Sequence, residues 1–150
     1  MNATDELYQQ VILEHNKKPR NFGVLADANH KAEGFNPLCG DHLWVYLKIN
    51  DAGIIEDVKF EGDGCAISKA SASMMTVAVK GKPVAEVKQM FGEFVELVKG
   101  KLKPAEQEHH LGKLTIFSGI WQYPARVKCA ALGWHAANAA LSQQTTISTE

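Results

Sequence analysis

Three cysteines, Cys39, Cys65 and Cys129, are spread through 150 residues, and no two of them form a CxxC pair. An odd, sparse set of thiols excludes the disulfide framework of a small secreted domain. A free cysteine is ordinarily a small buried core residue, so the setting of each one decides its reading. Cys39 lies in Asn36-Pro37-Leu38-Cys39-Gly40-Asp41, a turn-rich stretch before a strand, where the two-residue step to Asp41 can bring a thiolate and a carboxylate to one ion. Cys65 follows Gly62-Asp63-Gly64 and precedes a helical run, which puts it at a helix N-terminus, where free N–H groups and the helix dipole favour a thiolate. Cys129 falls in the first two turns of the last predicted helix, after Arg126 and beside Lys128, whose charges act in the same direction. Three thiols in such settings fit a shared site that only tertiary folding could assemble. Zinc suits three thiolates with one more N or O ligand, and iron-sulfur ligation draws on the same softness.

The pattern along the chain predicts a helix over 4–16, capped at Thr4, with Leu7, Val11 and Ile12 on one face and a stop at Lys17-Lys18-Pro19. Residues 19–40 are rich in Asn, Gly and Pro without a sustained period and read as a long loop. Leu43, Val45, Leu47 and Ile49 alternate up to Asn50-Asp51-Ala52-Gly53, and Val58 and Phe60 follow on one face, which predicts an antiparallel hairpin. A helix is predicted from Cys65, with Ile67, Ala70, Met74 and Ala78 three or four apart, and another from Pro83 to Val98. Residues 101–123 predict a short helical turn around 105–110 and a buried connector over 114–120. Pro124 opens a last helix through Leu141, followed by a polar tail over 142–150 that is expected to fray. Strands grouped before helices make an α+β domain, and the length suits a single domain over residues 1–150.

No apolar run reaches the roughly 18–20 residues of a spanning helix, and the early acids Asp5 and Glu6 do not suit a signal peptide. The expected compartment is the cytoplasm, with no membrane partner. Sixteen Lys and Arg against 17 Asp and Glu, scattered along the chain, argue against a nucleic-acid partner. His15, His42, His109 and His110 read as capping or surface residues, and His135 as packing beside Trp134. A Cys/His hydrolase pair is conceivable with Cys39 or Cys65, but no nucleophile elbow or protease signature accompanies either. Trp44, Tyr46, Trp121 and Tyr123 could serve docking, with core packing as the expectation for each.

The segments Asn36 to Asp41, Phe60 to Met74 and Pro124 to Ala130 resemble the three cysteine motifs of the IscU/NifU-like iron-sulfur assembly proteins, and Tyr8 to Asn21, with Pro19-Arg20-Asn21, is similar as well. The match runs over nearly all of residues 5–141. Lys128 stands where classical IscU has a His before the third cysteine, and no Leu-Pro-Pro-Val-Lys motif is present. The long insertion over roughly 99–122 and the Gly133-Trp134-His135 that follows the third motif are similar to the SufU branch instead. The resemblance implies a small antiparallel sheet packed against a group of helices, as in SufE/IscU-like folds. It further implies Zn²⁺ held by Cys39, Asp41, Cys65 and Cys129. The implied function is a zinc-dependent sulfurtransferase, a partner of a SufS-type cysteine desulfurase, in which a His of the desulfurase displaces one thiolate from zinc. The freed Cys39 then accepts persulfide sulfur, Arg126 engages Asp41 or the partner, and downstream Suf scaffold proteins receive the sulfur. The alternative is a scaffold on which an iron-sulfur cluster is assembled and transferred. A purely structural zinc adaptor is the third reading.

Overall fold

The computed structural model describes residues 3–37, 40–143 and 146–148. Cys39 lies outside the described residues. Helix α1 (Ala3–Lys17) leads through a loop to strands β1 (His30–Asn36), β2 (Asp41–Ile49) and β3 (Ile55–Asp63). Helices α2 (Ala66–Val79) and α3 (Val84–Val98) follow, then a 3₁₀ segment (Gly112–Gln122), α4 (Pro124–Leu141) and a short β4 (Thr146–Ser148). The sheet order is β3-β2-β1-β4, with β1, β2 and β3 antiparallel and β4 parallel to β1. The fold class is the α+β arrangement expected from the order of the elements.

Strand β2 turns Leu43, Val45 and Leu47 inward, as the alternation requires. On β3 the inward residues are Ile55, Val58 and Phe60; the three-residue step is absorbed by a register shift opposite Lys48 and Ile49, a bulge that lets both apolar residues face the core. β1 replaces part of the loop expected over 19–40. Its buried positions are Ala32, Gly34 and Asn36, which carry almost no apolar side chain, so the strand leaves no hydrophobic alternation to read. It is recruited by backbone pairing with β2, from His30 opposite Leu47 to Asn36 opposite Asp41.

Helix α2 is the central element, buried along most of its length. Its small residues let α4 approach closely: a Cβ on Gly133 would sit 3.0 Å from that of Ala72. Two α2 hydroxyls reach α4 carbonyls across this crossing, Ser71 donating to Ala130 O at 2.6 Å and Ser68 lying 3.2 Å from Cys129 O. The relative placement of the two helices is therefore fixed by backbone contact and hydrogen bonds rather than by long side chains. Trp134 of α4 stacks on Phe94 of α3 (5.1 Å, 23°), which in turn meets Phe117 at 5.7 Å.

No helix forms at 105–110, where the chain makes only turns. The buried connector over 114–120 is the 3₁₀ segment, with Leu114, Phe117 and Ile120 facing the core. Their three-residue spacing stacks them on one side of a helix with three residues per turn. Among the described residues no helix is long and apolar enough to cross a membrane.

Candidate metal centre

The site is built at the ends of three elements. β2 begins with Asp41, α2 is capped by Cys65, and α4 carries Cys129 one turn and a half from its start. Asp41, Cys65 and Cys129 each offer one ligand atom, and these atoms lie within 4.8 Å of one another. A tetrahedral zinc site with bonds of 2.0–2.3 Å has ligand-to-ligand edges of about 3.3–3.8 Å, so small side-chain rotations suffice to close the set. Two thiols and a carboxylate form a donor set suited to zinc. The helix-start position of Cys65 predicted from Gly62-Asp63-Gly64 is borne out: its sulfur accepts the Ser68 N–H at 3.5 Å, a thiol serving as N-cap.

Asp41 is almost fully buried, and both its oxygens are engaged. Oδ1 accepts the Cys65 backbone N–H at 2.8 Å, and Oδ2 accepts the Ser68 hydroxyl at 2.7 Å. The carboxylate thus ties β2 to the first turn of α2, with its Oδ2 4.0 Å from Cys65 Sγ. Gly64 makes room for it, since a Cβ there would lie 3.1 Å from Asp41 Oδ1. Arg126, expected to engage Asp41 or the partner during the exchange, lays its guanidinium over the exposed Tyr123 ring at 4.5 Å. It sits one helical turn before Cys129, on the same side of α4.

The Cys65 thiol is lowered from 9.0 to about 6, first by a hydrogen bond from Cys129 and then by the Ser68 N–H and hydroxyl; burial and the Asp41 charge oppose the shift. Alkylation of Cys65 in metal-free protein, followed on its peptide by mass spectrometry, should therefore show a midpoint near pH 6. Cys129→Ala should move that midpoint upward by removing the largest cause; an unchanged midpoint would contradict the hydrogen bond from Cys129. The folded-state value lies below the unfolded one. This group's stabilisation is therefore complete above pH 9.0 and is lost as pH falls toward about 6.

Three neighbours were not singled out in the sequence. Ser68 stands three residues after Cys65, the position whose N–H an N-cap side chain accepts, and that spacing could have found it. Asn36 is fully buried, with Nδ2 3.8 Å from Cys129 Sγ. The buried Tyr8 hydroxyl has no hydrogen-bond partner among the described residues. Its pKa is raised by burial, opposed by Arg126 and reinforced by the charges of Cys65 and Cys129, which places it beside the cluster. The histidines lie elsewhere. His15 binds Ser73 (2.7 Å), His42 pairs with Glu33 (2.8 Å), His110 pairs with Glu93 (3.0 Å), and His135 packs edge-on against Phe91. Tyr46 is buried as expected, but Trp121 and Tyr123 are about half exposed, because they close the 3₁₀ segment at the surface instead of entering the core.

Fold and site together define a class: an α+β domain that gathers two thiols and a carboxylate from a strand start and two helix starts. The NifU-like N-terminal domain family matches residues 7–130, and the chain belongs to it. It is 46% identical over 132 residues to the zinc-dependent sulfurtransferase SufU of Bacillus subtilis, covering 88% of this chain and 87% of that one. It is 38% identical over 143 residues to the iron-sulfur cluster assembly scaffold protein IscU of Streptococcus pyogenes, covering 95% and 87%. Among solved structures, FiSufU of Fervidobacterium islandicum, described as a candidate cluster assembly scaffold for the SUF system, superposes with a TM-score of 0.82. That match has 35% identity over 91% of this chain and 97% of the other.

Proposed function

We propose that this chain is a zinc-dependent sulfurtransferase of iron-sulfur cluster biogenesis, accepting persulfide sulfur from a SufS-type cysteine desulfurase onto Cys39. The observation that carries the reading is the cluster of Asp41, Cys65 and Cys129, with one thiol already poised to ionise near neutral pH. The name of the Bacillus subtilis relative supports it. Zinc, when bound by these three residues and Cys39, supplies a Lewis acid that holds the thiols ionised and shielded.

In the transfer, the Cys39 thiolate attacks the outer sulfur of the desulfurase Cys–S–SH. A new S–S bond forms at Cys39, the S–S bond of the desulfurase breaks, and its cysteine leaves as a thiolate. The persulfide proton stays with the transferred sulfur or passes to the departing thiolate, and no net oxidation occurs. Asp41 and Ser68 keep Cys65 in place during the exchange, and Arg126, exposed one turn from Cys129, faces the incoming partner. The downstream recipients are Suf scaffold proteins. We place the reaction in the cytoplasm because persulfide transfer needs reduced thiols.

The test is the rate of alanine formation by a SufS-type desulfurase with and without the zinc-loaded protein and its Cys39→Ala variant. Strong stimulation that is lost in Cys39→Ala, with zinc content and circular dichroism intact, is the expected result. No stimulation by the unaltered protein overturns the reading. The second reading, a cluster scaffold, is favoured by the IscU relatives; anaerobic reconstitution giving a stable cluster that transfers to an apo-protein would establish it.

A further inference from the structure

The last residue of β1 and the first of β2 face each other: Asn36 is paired in register with Asp41. Both are buried and both are polar, at 0% and 1% exposure, a position where strands ordinarily place apolar side chains. Each reaches one thiol. Asp41 holds the Cys65 end through that residue's N–H, and Asn36 directs its Nδ2 toward Cys129 Sγ at 3.8 Å. The Asn36 carbonyl also accepts the Gly40 N–H at 2.9 Å, closing the turn, with Gly40 at φ +72°.

The rest of the Asn36 side chain is the informative part. Its Oδ1 is buried and has no hydrogen-bond partner among the described residues. A buried amide with an unpaired acceptor is unfavourable, and selection for stability alone would favour an apolar residue here. The opposite amide orientation would set an oxygen against the sulfur and leave two N–H groups without acceptors. The side chain therefore fits its place as a donor to sulfur. We propose that Asn36 is a positioning residue for the metal centre, its amide N–H donating to the Cys129 thiolate and holding that sulfur on the ion as a fixed ligand.

The proposal rests on the reading that Asp41, Cys65 and Cys129 hold a divalent metal. Cys129 is then fastened by Asn36 and Cys65 by the Ser68 N–H, each through a donor that stabilises the ionised sulfur and lowers its tendency to pick up a proton and leave. Exchange during sulfur transfer is thereby directed away from these two ligands and toward Cys39. Among known metal centres, loss of such a supporting hydrogen bond lowers metal affinity by roughly 10–100-fold.

The experiment uses the full chain, with zinc affinity measured by competition against a chromophoric chelator for the unaltered protein, Asn36→Asp and Asn36→Ala. Asn36→Asp keeps the shape and removes the donor, while Asn36→Ala removes it without adding charge. Circular dichroism of the metal-free proteins reports whether each variant folds. Both folded variants should bind zinc at least 10-fold more weakly. In the cobalt(II)-substituted proteins, the thiolate-to-metal charge-transfer band should move to lower energy, because a sulfur without its donor holds its lone pairs less tightly. Affinity within about twofold of the unaltered protein, with the band unmoved, overturns the role of Asn36. A third readout needs no variant: in cadmium-113-substituted, nitrogen-15-labelled protein, the Asn36 side-chain amide proton should show scalar coupling to cadmium through the N–H···S bond, and its absence overturns the proposal even if both variants fail to fold. Failure of the unaltered protein to bind zinc, cobalt or cadmium would instead remove the metal-site reading itself, and the role of Asn36 with it.

Discussion

Cys65→Ser should yield a folded protein that no longer retains zinc. Serine is among the best N-cap residues, so its hydroxyl can take over acceptance of the Ser68 N–H that Cys65 Sγ now receives at 3.5 Å. The bond from Asp41 Oδ1 goes to the backbone N–H of residue 65 and is unaffected by the change of side chain. The first turn of α2 and its tie to β2 therefore survive. The soft, readily ionised sulfur does not, and a neutral hydroxyl is a poor zinc ligand. The loss of affinity should exceed the roughly 10–100-fold that a supporting residue outside the ligand set contributes. Metal analysis after gel filtration, together with thermal unfolding of the metal-free forms, measures both halves. Zinc retained at one per chain would show that Cys65 is not a ligand. A collapse of the metal-free fold would show that its thiol has a structural role the cap geometry does not account for.

Gly62→Ala should be the most destabilising small change near the site. Gly62 has φ +127°, outside the range L-residues adopt easily, and a Cβ there would stand 2.1 Å from the backbone oxygen of His42 on the neighbouring strand. Neither partner in that contact can rotate away. Backbone strain and overpacking together are expected to cost about 4 kcal/mol, against about 1 kcal/mol at a turn glycine where only the dihedral is at issue. Gly53→Ala is the matched control, since Gly53 has φ +79° and open space around it. Urea unfolding of the two metal-free variants gives the comparison. Equal midpoints would mean that β2 and β3 leave room for a Cβ at this point. The effect should also reach function, because Gly62 sits two residues before Gly64 and three before Cys65, so a displaced β3 end carries the cap of α2 with it.

The parts of this molecule legible in its sequence are those whose side chains signal their surroundings. The β2–β3 hairpin shows in Leu43, Val45 and Leu47 and in the turn at Asn50 to Gly53, and α3 and α4 show in apolar faces opened by Pro83 and Pro124. Cys65 announces itself by the glycines before it, and Asp41 by its two-residue step from Cys39. β1 does not, since Ala32, Gly34 and Asn36 form its inner face and backbone pairing does the rest. The 3₁₀ segment shows only as a buried connector, because its apolar period is three rather than three to four. Asn36 and Tyr8 were missed for a different reason. Each lies near sulfur that is remote in the chain, and nothing in the residues beside them anticipates that neighbour.

The strand Thr146–Ser148 lies along Glu33 to Phe35, stopping one residue short of Asn36. Without it, β1 would present a row of unpaired amide and carbonyl groups within a few residues of the thiol cluster, and an open sheet edge is a template on which a second chain can add. Two chains joined there would bring reactive cysteines of separate molecules together, where air oxidation can cross-link them. By occupying that side of β1 from within the same chain, the short parallel strand takes β1 out of reach of a second copy and leaves a strand of only three residues at that end of the sheet, a much poorer template beside the thiols.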